Sequence, residues 1–218
     1  MKPRWSKQRN DALTLVEVLV VIAVLAILAM IFLPAPIHSG KSPQKIQCVS
    51  NLKQLGMAYL VWSGDHANVF PMLTSVTNGG TMELADGVNV WKTFQVMSNE
   101  LGTPRLLYCP TDSERDGYAT NFCDGLKTRI SYFVGLDADP RSPQCLTSGD
   151  DNFEIGGVPV KSGLLEFSTN TPISWTTARH NHSGNILLGD GSVQSTTSSS
   201  LRISLQETGL ATNRLAIP

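Results

Sequence analysis

Basic side chains are nowhere banked together in the body of this 218-residue sequence. Its 17 Lys and Arg stand against 18 Asp and Glu, and Lys2, Arg4, Lys7 and Arg9 all lie in the first twelve residues, opposed there by Asp11 alone. A nucleic-acid surface needs a basic stripe or patch, so no nucleic-acid partner is expected. The sequence also lacks a Cys-x-x-Cys spacing or an adjacent His pair of the kind that holds zinc. No nucleophile sits in a recognisable motif beside a base, which argues against an enzyme. Four cysteines, Cys48, Cys109, Cys123 and Cys145, leave three full pairings open.

Charge is missing altogether from Val18 to Ala35. At ~1.5 Å per residue this run is about long enough for a ~30 Å hydrocarbon core, and it is expected to span the membrane once. Basic residues before it and few after it put the N-terminus in the cytoplasm and the body outside. There disulfides persist. What remains of the chain suits one globular domain.

An ordinary signal peptide places a small-residue cleavage site after its apolar run, but Leu33-Pro34-Ala35-Pro36 has no A-x-A pattern. The unusual segment comes before it, at Ala12-Leu13-Thr14-Leu15-Val16-Glu17. A lone carboxylate at the bilayer centre costs about 2.5–3.5 kcal/mol on insertion scales and less near an interface. Glu17 therefore needs a reason. Snorkelling to the headgroups is the plain one.

These six residues resemble the N-terminal cleavage and methylation motif of type IV pilin-like proteins and type II secretion pseudopilins, with Ala12 where Gly is usual and Leu13 where Phe or Met is usual. The resemblance implies that a prepilin peptidase cuts between Ala12 and Leu13 and methylates the new amine of Leu13. It also implies that Glu17 neutralises that amine on a neighbouring subunit. Pro34 falls where pilin-like helices kink. The implied organisation is a cytoplasmic leader over 1–12, a transmembrane and polymerisation helix over 13–35, a helical stalk over 36–64 and a β-rich domain over 65–218. The fold class expected is α+β, with a long N-terminal helix and an interrupted helical stalk packed on a small antiparallel sheet.

Within the stalk, Ser42 is placed to cap a helix with Pro43 in its first turn. Cys48, Leu52, Leu55, Tyr59 and Trp62 recur at helical spacing as a core-facing stripe, and Ser63-Gly64 is the expected end. Beyond Asp65 the helical period fades, and Leu106–Cys109, Ile130–Val134, Leu164–Phe167 and Ile186–Leu188 read as strands. Asp190-Gly191 is expected to form a two-residue hairpin turn.

His180, nine intervening residues and Asp190-Gly191 are similar to the His-x9-Asp-Gly pattern near the C-terminus of many pilin-like proteins. Cys48–Gly56, Phe70-Pro71 and Cys109-Pro110-Thr111-Asp112 match the same group. On that resemblance Cys48 pairs with Cys109, stapling the helix to the sheet, and Cys123 with Cys145 if a second bridge forms. A structural hydrogen bond across the strand end accounts for His180 and Asp190 without catalysis. No cofactor is expected. Calcium has a partial pattern in Asp112-x-Glu114-x-Asp116-Gly117, but Arg115 intrudes and position twelve is Cys123. Asp137, Asp139, Asp150 and Asp151 read as solvated loop acids.

The function implied is that of a structural subunit of a type II secretion pseudopilus. The alternative is a surface pilus subunit for attachment or DNA uptake. A membrane-anchored protein that never polymerises is a third option. The implied partners are prepilin peptidase, other pilin-like subunits, the inner-membrane assembly platform and the inner membrane itself.

Overall fold

The computed structural model describes residues 14–32, 43–84 and 87–218. By internal packing the chain divides into two units, 1–40 and 41–218. Ala12, Leu13, Pro34 and Ser42 lie outside the described residues.

In the first unit, helix α1 runs over Leu15–Phe32. Apolar side chains from Leu15 to Leu28 are exposed on every side of it, a pattern that belongs to helices buried in a larger body or in lipid. Among the described residues no helix is long and apolar enough to cross a membrane. Eighteen residues reach about 27 Å, short of a ~30 Å core, and the end of the apolar run, residues 33–35, is not among those described.

The second unit opens with α2, Pro43–Asp65. Proline is tolerated in a first helical turn because the N–H it lacks has no intrahelical partner there. Cys48, Leu52, Leu55, Tyr59 and Trp62 are buried on one face, the 3.6-residue period turned into a packing surface. Short helices α3 (Val90–Val96) and α4 (Ser98–Leu101) follow.

The strands are β1 (Tyr132–Gly135), β2 (Leu146–Asp150), β3 (Phe153–Ile155), β4 (Val158–Pro159) and β5 (Gly163–Ser168). They continue with β6 (Ile173–Trp175), β7 (Ser183–Leu188), β8 (Val193–Thr197) and, after helix α5 (Ser198–Glu207), β9 (Thr212–Ile217). A six-stranded antiparallel sheet has the order β5-β9-β1-β2-β7-β8, and a smaller one the order β4-β3-β6. The described part of the chain is thus α+β with an antiparallel sheet.

The central strands β1, β2 and β7 are buried throughout, and because alternate residues point to opposite sides they feed a core on each face of the large sheet. On one face Tyr132, Val134, Leu187 and Ala216 join the core under α2. On the other, Phe133, Ile186, Leu188, Leu215 and Ile217 pack with Trp175 of the small sheet and with Leu201 and Leu205 of α5.

Three expectations are corrected. Leu106–Cys109 is not a strand: Pro104–Leu107 forms a 3-10 turn, started by the Thr103 hydroxyl accepting from the Arg105 N–H and by the fixed φ of Pro104. Helix returns after Asp65, in α5 above all. The Thr197 side chain caps it by accepting from the Ser200 N–H, and its two buried leucines are too few to show a period. The β7–β8 connection is not a two-residue turn. The Gly191 N–H donates to the Leu188 carbonyl at 3.0 Å and the Leu188 N–H to the Ser192 carbonyl at 2.9 Å, with Gly191 at φ +80°, so the loop is Gly189-Asp190-Gly191 with the left-handed residue that a three-residue hairpin needs.

Candidate functional site

Two places carry the residues that the sequence singles out. The first is the start of α1. The Thr14 hydroxyl accepts from the Glu17 N–H at 3.3 Å, while Glu17 Oε2 accepts from the Thr14 N–H and hydroxyl, both at 3.0 Å. This is a reciprocal capping box, Thr-x-x-Glu, which satisfies two backbone donors that the helix start leaves open. The Thr-x-x-Glu spacing of Thr14 and Glu17 is itself visible in the sequence. Glu17 therefore has an intrachain role before any neighbour is considered.

The second place lies where α2, the 109–112 loop, the end of β2 and the turn before β7 converge. Cys48 and Cys109 form a disulfide, while Cys123 is free and exposed and Cys145 free and buried. The conditional second bridge is thus not made. His180 faces the disulfide with Nε2 3.4 Å from Cys109 Sγ, and the same nitrogen is 3.4 Å from Asp150 Oδ2. The carboxylate opposite His180 is that of Asp150, not Asp190. Asp190 stays exposed in its turn and accepts the Ser192 N–H at 2.8 Å.

His180, Asn181 and His182 all adopt φ near +50°, a left-handed conformation that costs roughly 1–2 kcal/mol per non-glycine residue. The neighbouring Arg179 explains what holds it. Its guanidinium sits 2.5 Å from Asp151 Oδ1 and 3.0 Å from Asp112 Oδ2, and donates to the Ser131 carbonyl at 3.0 Å. Arg115 bridges the same two acids at 2.7 and 2.5 Å. The Ser131 hydroxyl donates to Asp112 at 2.7 Å.

Asp112 is accordingly spent on arginines rather than on the calcium pattern that its spacing suggested. Asp150 and Asp151 are buried, which corrects their assignment as solvated acids. Asp137 and Asp139 pair with Arg214 and Arg141 near the surface. Arg179 was missed because one arginine in a chain of scattered charge gives no signal of burial.

Burial alone would raise Asp112, but Arg179, Ser131 and Arg115 outweigh it and hold its carboxyl below the usual range. Burial pushes Asp150 up to about 7 against Arg179 and Asn185. Burial, with Lys45 and Arg179, holds His180 down to about 4. Over roughly pH 4 to 6.5 the folded pair keeps one proton on Asp150, whereas an unfolded chain keeps one on histidine. Proton counts then match, and this pair gives no slope of stability with pH.

Single substitutions in the oxidised chain should unmask opposite slopes. In Asp150→Asn the unfolded state alone binds the proton, so stability rises between pH 4 and 6.5. In His180→Asn the folded state alone binds it, so stability falls from pH 4 to 7. Urea midpoints across that range measure both, and parallel curves for the two variants would refute the pairing.

Gly191 has a contact role as well. A Cβ on it would lie 2.8 Å from Leu60 Cδ1, and one on Gly56 would lie 2.7 Å from Leu187 Cδ1 and 3.2 Å from the Gly191 carbonyl oxygen. The two glycines let α2 and the β7–β8 hairpin touch, so Gly56 and Asp190-Gly191 are two sides of one junction.

Residues 7–33 match the family model described as the prokaryotic N-terminal methylation motif, a signature of type IV pilins and pseudopilins. The match spans the expected cleavage site, Glu17 and α1. No curated protein and no solved structure matches the chain.

Proposed function

We propose that the chain is a filament subunit, and that the methylation motif at residues 7–33 carries this conclusion. A prepilin peptidase cuts between Ala12 and Leu13, Leu13 is methylated, and residues 13–35 hold the mature protein in the inner membrane. The domain that follows lies outside the cytoplasm. Subunits then pack through α1, on the inner-membrane assembly platform, into a type II secretion pseudopilus. A surface pilus uses the same chemistry.

Both local hydrogen bonds of Glu17 fall on Oε2, so Oε1 is the oxygen that meets the Leu13 ammonium of a neighbour. Paired, the two charges are tolerated in an apolar bundle; separated, each is penalised. Glu17→Gln isolates this role, since Gln also completes a capping box. The variant should insert, be cleaved and fold, yet be absent from sheared or cross-linked polymer when expressed with the assembly machinery. Glu17→Lys should do worse, because like charges then meet. Wild-type polymer yield from Glu17→Gln would reject the register role, and a mature terminus other than methylated Leu13 in mass spectra would reject the processing. Loss of protein secretion on deletion favours the pseudopilus; loss of surface filaments favours the pilus.

A further inference from the structure

The donor atoms of Cys48, Cys109 and His180 all lie within 4.8 Å of one another, a clustering produced by tertiary structure alone, since the three residues come from α2, a loop and a turn. We propose that, when the Cys48–Cys109 disulfide is reduced, the two thiolates, His180 Nε2 and Asp150 form a zinc site, so that α2 remains tied to the 109–112 loop and to β2 in either redox state. Zinc favours four tetrahedral ligands drawn from Cys, His and carboxylate. Thiolate and imidazole donors select it over calcium or magnesium.

Asp150 adjoins this cluster, with Oδ2 3.4 Å from His180 Nε2, and a shift of its side chain toward the sulfurs completes the tetrahedron. Asp150 is fully buried, and its Oδ1 has no hydrogen-bond partner. The Asn185 backbone and side-chain amides donate to Oδ2 at 2.7 and 2.8 Å, which holds the carboxylate beside the imidazole while Oδ1 stays unpaired. The Thr111 hydroxyl lies 3.4 Å from Nε2 and 3.5 Å from Nδ1 of His180 and 3.1 Å from Cys109 Sγ, so it packs against both the ring and the sulfur. Zinc–sulfur bonds of about 2.3 Å require sulfurs roughly 3.7 Å apart. The Cys48 and Cys109 Cα atoms, 5.2 Å apart, allow this by rotation of the two side chains.

The redox step balances with a phosphine as reductant. Phosphine and water convert the disulfide to two thiols and phosphine oxide, and zinc then displaces the two thiol protons. No electron passes to or from the metal.

The test uses the full chain in detergent micelles, oxidised or phosphine-reduced, titrated with zinc against a chromophoric chelator. Cobalt(II) serves as the spectroscopic probe. The reduced chain should bind one zinc, the oxidised chain none, and cobalt should give sulfur-to-metal charge-transfer absorption. Zinc, and not magnesium, should raise the melting temperature of the reduced chain. His180→Ala should weaken binding at least about a hundredfold and Asp150→Asn about tenfold. Equal zinc uptake by both redox forms, uptake unchanged by Cys48→Ser, or a reduced chain that stays unfolded with zinc present would each overturn the proposal. The oxidised and reduced wild type decide it even if a variant fails to fold.

Discussion

Arg179→Met should lower the unfolding free energy of the domain by about 3–5 kcal/mol, the usual cost of leaving buried charge without its partner. The methionine fills much of the arginine stem's volume, so the loss reports the guanidinium more than a cavity. Asp112 and Asp151 would keep Arg115, but that side chain cannot replace the bond to the Ser131 carbonyl or neutralise both acids. The compensating change is informative. Adding Asp151→Asn to Arg179→Met removes one stranded carboxylate and should recover part of the loss, a positive coupling between neighbours in one network. Urea unfolding of the four proteins of this cycle supplies the measurement. A single-variant loss below about 1 kcal/mol would show that Arg179 does not hold the acids together.

The second large effect belongs to the staple. Cys48 and Cys109 are separated by 61 residues, and closing a loop of that length removes denatured-state entropy worth about 4 kcal/mol at 25 °C in the chain-entropy model. The Cys48→Ser, Cys109→Ser double variant should lose stability of that order against the oxidised wild type, with a chelator present so that metal contributes nothing. A midpoint within error of wild type would mean that the bridge constrains nothing that the core does not already hold. Cys123→Ser, which touches no bridge, is the control and should leave the midpoint unchanged.

How much of this was legible in the sequence depends on how local each signal is. The α2 stripe was readable because its period is written within fifteen residues, and all five named side chains are buried. The hairpin was readable in position, although its loop is one residue longer than Asp-Gly alone suggested, since Gly189 also enters the turn. The methylation motif is contiguous and was seen whole. The Arg179 network and the His180–Asp150 contact were not seen, because their members come from residues 109–115, 131, 150–151 and 179–180. Nothing in the spacing of such distant residues tells a buried acid from a solvated one. Strand propensity misled at Leu106–Cys109, where a proline and a threonine cap decide for a turn. α5 was lost for the opposite reason, a helix whose start rests on one threonine and whose apolar face is two leucines.

The place of β9 has a further consequence for how the domain is made. This strand pairs with β5 on one side and β1 on the other, so it sits inside the six-stranded sheet although it is the last in sequence of the nine strands among the described residues. A chain that emerges N-terminus first therefore cannot close its sheet until residues 212–217 have appeared. Until then β1 and β5 present open edges, and the apolar side chains meant for Leu215 and Ile217 have no cover. The domain therefore sets only when its last strand is free to enter the sheet, and that six-residue segment acts as the latch.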